Sequence, residues 1–170
     1  MIGRYITVGL RAAVVAALGC LLFVPGLDQA LAAERHAGGA AASARIVAPA
    51  APPTIKNPGP TTLAATSPTI SPSVTTRHVA PGGTYTCSHG NLCTLVWDPA
   101  SGSWKIFYLY YCNRYSLSYW QGGGYYWNNQ TSGTVARFLG ENGTVFTFSR
   151  APSSPNMYQD WNPIYSIINC

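Results

Sequence analysis

Short runs of apolar residues alternate with turn residues through the second half of the chain, and this pattern predicts β-strands. β-Branched and aromatic residues fill each run, whereas Gly, Asn, Pro and Ser separate the runs. Asn142-Gly143 predicts a two-residue hairpin turn, because both residues tolerate a positive φ. No run keeps a helical period, although residues 115–120 are long enough for one helical turn. The predicted strands are residues 92–97, 104–111, 125–128, 134–139, 145–150 and 164–169.

These strands favour a single all-β domain, either a Greek-key sandwich or a small barrel. Nineteen of the 21 aromatic residues lie between Tyr85 and Tyr165, which is a large apolar load for a short chain. A domain of this length is marginally stable from burial alone. Aromatic side chains and disulfides are two ways to compensate.

The start of the chain has the three parts of a secretory signal peptide. Residues 1–33 contain a basic beginning, an apolar run at residues 12–24 and a small-residue end. The apolar run is shorter than the ~20 residues that cross a bilayer. We therefore expect cleavage, export and no membrane contact once the signal is removed.

A segment poor in large side chains follows the signal. Residues 34–83 contain no Phe, Tyr or Trp and are rich in Ala, Pro, Thr and Ser. With so little to bury, the segment cannot offset the entropy of ordering itself, so it predicts a disordered tether. A pro-segment that assists folding is the alternative. The folded domain then comprises residues 84–170.

The charge of the chain lies mostly outside this domain. The formal net charge is +5 over the whole sequence. The domain itself is nearly neutral, with four scattered basic and three acidic side chains: Lys105, Arg114, Arg137 and Arg150 against Asp98, Glu141 and Asp160. Nucleic-acid binding needs clustered basic residues to neutralise phosphates, so we exclude nucleic acid as a partner.

Four cysteines in the domain predict two disulfides, because exported domains of this size are usually disulfide-bonded. Four cysteines allow three pairings. The short spacing of Cys87 and Cys93 lets that loop close on itself, which leaves Cys112 for Cys170. The alternative is a metal site of four thiolates, which we do not expect because the paired C-x-x-C spacing is missing.

Several short motifs in the domain resemble a known family. They are Cys87-Ser-His-Gly-Asn-Leu-Cys93-Thr-Leu-Val-Trp97-Asp98 with Gly102, then residues 115–120, 128–132 and 160–167, and finally Cys170. Together they resemble the βγ-crystallin Greek-key motif of small secreted bacterial proteins, which are grouped with the crystallin-like metalloproteinase inhibitors, peptidase inhibitor family thirty-six. The resemblance covers residues 84–170. It implies a single βγ-crystallin-like Greek-key sandwich, a bacterial source and inhibition of extracellular metallopeptidases.

The resemblance also implies a place for calcium. In many crystallin-like proteins the motif binds Ca²⁺ through side-chain oxygens, which correspond here to Asn128, Asn129, Thr131 and Ser132. This loop offers no carboxylate, so a site here would be weak, and we expect no cofactor. We favour the interpretation that both asparagines stabilise a turn through hydrogen bonds to the backbone.

The domain shows no catalytic pattern, and we predict that the protein is not an enzyme. Its one histidine is His89, and each carboxylate lies beside an ordinary turn or strand end. Exposed aromatic residues are the better candidates, since alternation along a strand directs about half of them outward. The candidate binding residues are Tyr119, Trp120, Tyr125, Tyr126 and Trp127. The alternative is that these rings cover both faces of a thin sandwich.

The sequence therefore predicts a secreted, monomeric binding protein whose partner is an extracellular protease or a polysaccharide. Peptidase inhibition is the leading hypothesis, through the resemblance. A carbohydrate- or cell-wall-binding module that uses exposed Tyr and Trp is the alternative. An extracellular structural or stress protein is a third.

Overall fold

The computed structural model describes residues 44–53 and 65–170, which belong to one compact unit, Gly39–Cys170. Every regular element in these two ranges is a strand, which confirms the all-β prediction. Within them no helix has the length and apolarity needed to span a bilayer. The predicted signal peptide lies outside the described residues. The strands are β1 Arg45–Val47, β2 Thr69–Ser71, β3 Thr75–Val79, β4 Thr84–Thr86, β5 Asn91–Asp98, β6 Ser103–Leu109, β7 Arg114–Ser118, β8 Gly123–Asn129, β9 Val135–Leu139, β10 Val145–Arg150, β11 Met157–Asp160 and β12 Ser166–Asn169.

The strands form two five-stranded antiparallel sheets and a two-stranded ribbon. Sheet I has the order β11-β8-β5-β6-β3, sheet II has the order β10-β9-β12-β7-β2, and the ribbon pairs β1 with β4. Side chains of both sheets share one buried cluster, so the sheets enclose a common core as a small sandwich. Greek-key connectivity and a crystallin relationship stay predictions.

Aromatic rings fill the space between the sheets. Trp161 is fully buried at the centre, with Trp120 at 5.0 Å and Phe138 at 5.7 Å between ring centroids. Phe107 contacts Trp120 at 4.7 Å, and Tyr126 contacts Phe138 at 5.0 Å. These distances are those of favourable edge-on and offset ring pairs.

A second core lies on the opposite face of sheet I, under the ribbon. Tyr85 from β4 covers Leu95, Trp104 and Ile106, and all four side chains are buried. The two faces of β5 are therefore both covered, which explains its nearly continuous apolar sequence.

Both predicted disulfides are present. Cys87 pairs with Cys93, and Cys112 pairs with Cys170. The first closes the loop before β5, and the second joins the β6–β7 connection to the residue after β12. Both therefore lie at the same end of the sandwich.

The prediction of a disordered tether at residues 34–83 is wrong for the described part of that range. Strands β1, β2 and β3 all fall inside it. These strands are held by backbone pairing, by apolar side chains such as Ile46, Ile70 and Val79 that pack against the two cores, and by donors elsewhere in the chain. Trp104 Nε1 donates to Pro49 O at 2.9 Å, Lys105 Nζ to Pro68 O at 2.9 Å, and Trp120 Nε1 to Thr69 O at 2.7 Å.

Of the local predictions, the strands are confirmed and the helical turn is wrong. All six predicted strands are present within a few residues of their expected bounds. The helical turn at residues 115–120 is wrong, because this segment contains strand β7 and then Tyr119 with φ of +64°. The hairpin at Asn142-Gly143 exists, but its loop has three residues, and only Gly143 has a positive φ.

Candidate functional site

The two ends of the sandwich differ in construction. Both disulfides lie at the end where β5 begins and β6 ends, which we call the disulfide end. The opposite end contains the β5–β6 turn, the β7–β8 loop and the β11–β12 loop. An open cleft of about 720 Å³ lies there, and we call this the cleft end.

The described residues that line the cleft are uncharged. Trp97 and Pro99 come from the β5–β6 hairpin, Tyr119 and Gln121 from the β7–β8 loop, and Asn162 from the β11–β12 loop. Further lining residues are Pro52, Ala65, Thr66, Gly122 and Gly123. Aromatic rings and amide groups, without a charged side chain among the described lining residues, suit a neutral, hydroxyl-rich ligand better than a charged one.

Tyr119 is the most exposed aromatic side chain of the cleft. Its side chain is 59% exposed, and its left-handed backbone is one that bulky residues rarely adopt. A second, smaller cavity is also lined by Tyr119, Gln121 and Asn162. The Tyr119 side chain therefore borders two adjacent cavities. Backbone strain of this kind concentrates at functional sites.

Hydrogen bonds fix the loops that form the cleft. Gly122 N donates to Asn162 Oδ1 at 3.0 Å, and Trp161 N donates to Gly122 O at 2.9 Å. Asn162 Nδ2 in turn donates to Asp160 Oδ1 at 2.8 Å. The side chain of Gln121 has no hydrogen-bond partner among residues 44–53 and 65–170 and is free to contact a ligand.

A buried carboxylate supports the wall of the cleft. Asp98 is 1% exposed and accepts hydrogen bonds from Ser67 Oγ, His78 Nε2 and Ala100 N, at 2.9, 2.9 and 3.0 Å. Burial alone would raise the pKa of Asp98, but these hydrogen bonds and the charge of His78 hold the pKa below its ordinary value. The carboxylate therefore stays ionised and anchors residues 65–68 and β3 to the β5–β6 turn.

These three side chains do not form a catalytic triad. In a triad the imidazole lies between the hydroxyl and the carboxylate, so that it can take the hydroxyl proton. Here the carboxylate is central, and Ser67 donates to Asp98 and not to His78. Sequence reasoning missed the cluster because Ser67 and His78 lie in the segment assigned to the tether. Asp98, directly before Pro99, was the only member of the cluster that the sequence analysis considered.

Three of the five aromatic residues predicted to bind a ligand are in the core. Trp120, Tyr126 and Trp127 are only 5–7% exposed, so their assignment to a binding surface is wrong. Tyr125 is half-buried against Trp104 at 5.5 Å, and Tyr119 alone is prominently exposed. The alternation argument assumed that each strand has a solvent face, but sheet I is covered on both.

The asparagines of the candidate calcium loop have structural partners. Asn128 is fully buried, and its Nδ2 donates to Ser149 O at 2.9 Å. Asn129 Nδ2 donates to Cys87 O at 2.8 Å, which ties this strand to the first disulfide. Thr131 and Ser132 are exposed in the following loop. Among the described residues no group of three or more His, Cys, Asp or Glu could hold a metal.

The disulfide end offers a different surface. Tyr110 and Tyr111 are 60% and 74% exposed, with ring centroids 5.4 Å apart. They flank the loop closed by Cys87 and Cys93, and Gly90 in that loop lies so close to the Tyr110 ring that a side chain would overlap it. This end is covalently fixed, and its cavity of about 400 Å³, beside Tyr110, Tyr111 and Cys112, is smaller than the cleft at the other end.

No family model, curated protein or solved structure matches this chain. We therefore infer the function from the geometry of the two ends.

Proposed function

We propose that the protein is a non-catalytic, exported binding protein that holds a neutral carbohydrate in the cleft beside Tyr119. The observation that carries this proposal is the cleft itself: an exposed tyrosine ring, a tryptophan, the amide side chains of Gln121 and Asn162, and no charged residue among the described residues that line it. The two disulfides support export, since such bonds persist in oxidising compartments. A monomer is the expected form.

The chemistry of the cleft fits a sugar. The apolar face of a pyranose packs on an aromatic ring, and its hydroxyls exchange hydrogen bonds with amide groups such as those of Gln121 and Asn162. A preformed cleft keeps the entropic cost of binding low. Asn162 is already oriented by Asp160 and Gly122, so one side of the site is fixed before the ligand arrives.

Retention on insoluble neutral polysaccharides, such as cellulose and chitin, tests this proposal. We expect the oxidised protein to be retained and the Tyr119→Gly variant to be released, because glycine removes the ring and accepts the positive φ. Tyr111→Ser is the matched control, since it removes an exposed ring at the other end. Retention that is unaffected by Tyr119→Gly would reject the cleft as the site.

Peptidase inhibition is the second candidate, through the resemblance to crystallin-like inhibitors and one local feature. Ser88 and His89 are exposed on a loop closed by Cys87–Cys93. Gly90 N donates to Asn129 O at 2.8 Å, and Asn91 Nδ2 donates to Ser88 O at 3.1 Å, so the loop is held at several points. A rigid, exposed loop can enter a protease cleft with little loss of entropy.

This second candidate has a separate test. An inhibitor should lower the turnover of a thermolysin-type metallopeptidase at near-stoichiometric amounts. Exchange of both Ser88 and His89 for Gly should abolish that effect, whereas Tyr119→Gly should not change it. No inhibition at excess protein would reject this function and leave carbohydrate binding untouched.

A further inference from the structure

The outer face of sheet II carries a cluster of basic residues. Phe148 on β10 pairs with Arg137 on β9, Arg137 pairs with Ile168 on β12, and Ile168 pairs with Arg114 on β7. Directly opposed residues point to the same face of a sheet, so these four side chains form one row across it. Arg150 lies two residues after Phe148 on β10, opposite Val135 on β9, and therefore points to the same face. Three of the basic residues that look scattered in the sequence therefore share one surface.

The guanidinium groups of this cluster contact no acidic side chain of the described residues. Arg114 Nη2 donates to Ser166 Oγ at 3.2 Å and Arg150 Nη1 donates to Gly133 O at 3.4 Å, and both acceptors are neutral. Arg137 Nη1 donates to an oxygen of Cys170, the last residue of the sequence, at 2.7 Å. The one ion pair between side chains in the described part of the chain is between His78 and Asp98, on sheet I. Arg114 and Arg150 therefore keep their charge uncompensated, and all three guanidinium groups keep most of their donors open.

Acidic side chains are almost absent from this side of the molecule. Of the carboxylate side chains in the described ranges, Asp98 and Asp160 belong to sheet I. Glu141 borders the face from the β9–β10 loop, next to Phe146 and Tyr165. The outer face of sheet II is thus a positive surface with one acidic group at its rim.

The spacing of the cations suits an extended polyanion. Arg114 and Arg137 are two strands apart, about 10 Å, and Arg150 lies about 8 Å from Arg137 along the diagonal. Planar guanidinium groups bind carboxylate and sulfate in a two-point geometry. Phe148, which is 66% exposed beside Arg137, offers a ring for the apolar face of a sugar.

We propose that this face binds an anionic polysaccharide, one whose sugar rings carry carboxylate or sulfate groups. Charge complementarity supports this proposal, which is independent of the neutral cleft at the end of the sandwich. The exposed apolar side chains of the face are Phe148 and Val145, with Ile168 half-buried, and Phe146 and Tyr165 lie at its rim beside Glu141. A lipid surface would need more apolar side chains to insert.

Calorimetric titration of the full-length oxidised protein with polygalacturonate tests the proposal. The matched ligand control is the same polymer fully methyl-esterified, which keeps the sugar backbone and removes the charge. We expect binding to polygalacturonate that weakens with added salt, and only weaker binding to the ester, without salt dependence, where the neutral cleft holds it. Binding to both polymers with the same affinity and no salt dependence, or binding to neither, would overturn the proposal.

Paired arginine variants locate the surface. Arg137→Gln with Arg150→Gln should weaken binding roughly tenfold, since each exposed charge pair contributes roughly threefold. Arg45→Gln with Arg77→Gln removes the same charge from the ribbon and sheet I, and should leave the affinity unchanged. Equal loss in both pairs would show a bulk charge effect and overturn the assignment. All of these side chains are exposed, so an unchanged melting temperature confirms that each variant is folded.

Two further binding measurements distinguish this proposal from others. Tyr119→Gly should bind polygalacturonate like the wild type, which keeps this result distinct from the fate of the cleft proposal. Single-stranded DNA and vesicles of phosphatidylglycerol with phosphatidylcholine present other anionic surfaces. Tighter binding to either, lost in the Arg137 and Arg150 variant, would assign the face to that partner and overturn the polysaccharide proposal.

Discussion

The disulfide end and the cleft end of the sandwich are held together by different chemistry. At the disulfide end, Cys87–Cys93 and Cys112–Cys170 fix the loops covalently. At the cleft end, the β5–β6 turn, residues 65–68 and β3 meet at one buried carboxylate, Asp98. One end is therefore anchored by bonds that do not titrate, whereas a main anchor of the other end is an ionised side chain.

The cleft beside Tyr119 lies at the end without covalent anchors. Its loops pack on the buried ring of Trp161, and Tyr119 extends from them with a strained backbone. Hydrogen bonds between these loops form the site before a ligand arrives, without a disulfide. This difference is the reason that we assign carbohydrate binding to the cleft end and a rigid contact loop to the disulfide end.

Removal of the long disulfide should have the largest effect on stability. The Cys112–Cys170 bond spans 58 residues, and in the chain-entropy model its loss costs about 4 kcal/mol. The Cys87–Cys93 bond spans 6 residues and should cost about 2 kcal/mol. Urea unfolding of the two Cys-to-Ser double variants measures both values. A larger loss from the short loop would contradict this account of the disulfide end.

Asp98→Asn should produce the next largest loss of stability. It should also remove the pH dependence that the Asp98 carboxylate gives to the free energy of unfolding. At neutral pH we expect a loss of about 3 kcal/mol, because the charged acceptor of three hydrogen bonds is removed. The folded-state pKa of Asp98 lies below its unfolded value, so its contribution is complete above the unfolded pKa. It disappears as the pH falls through the folded pKa.

The two curves of unfolding free energy against pH should therefore converge in acid. Asp160→Asn is the matched control, because the Asp160 carboxylate is exposed and bonds only to Asn162 among the described residues. A constant difference between wild type and Asp98→Asn from neutral to acidic pH would show that the ionised carboxylate is not what anchors this end.

Gly124→Ala should disturb the packing behind the cleft. A Cβ at this position would overlap the Trp161 indole and the backbone oxygen of Leu95, neither of which can move freely. We expect a loss of about 2 kcal/mol in thermal unfolding. Gly123→Ala, one residue earlier, would meet only the side chain of Tyr158, which is 65% exposed and can rotate away. Equal losses of stability in both variants would mean that the core near Trp161 can rearrange to accommodate the added methyl group.

Tyr119→Gly should have the smallest effect on stability and the opposite sign. Release of the left-handed backbone should stabilise the fold by up to about 1 kcal/mol, while carbohydrate binding is lost. Tyr119→Ala loses the same ring but keeps the strained φ, so it should lose binding without that gain. Equal stability of the two variants would show that the backbone at Tyr119 is not strained.

The sequence predicted the central strands well and the edges of the fold poorly. The runs of apolar and aromatic residues in 92–97 and 104–111 are strong local signals, and both strands, β5 and β6, are present inside sheet I. Strands β1 to β3 carry few large side chains, and their stability comes from partners such as Trp104 and Trp120 that lie far along the chain. Local composition cannot reveal such partners.

The candidate site shows the same limit. Tyr119 was among the predicted binding residues, but nothing local distinguishes it from Trp120, which points into the core. Which neighbour is exposed depends on sheet II packing against sheet I and on the left-handed turn at Tyr119. Cysteine pairing was predictable because the short spacing of Cys87 and Cys93 leaves one simple solution.

The most direct test of the cleft as the binding site is an NMR titration of the ¹⁵N-labelled, oxidised protein with a soluble neutral oligosaccharide. The account predicts shifts in the side-chain amides of Gln121 and Asn162 and in the backbone amide of Tyr119, with none at Gly90 or Asn129 at the disulfide end. Shifts confined to Gly90 and Asn129, or no shifts at millimolar sugar, would contradict it.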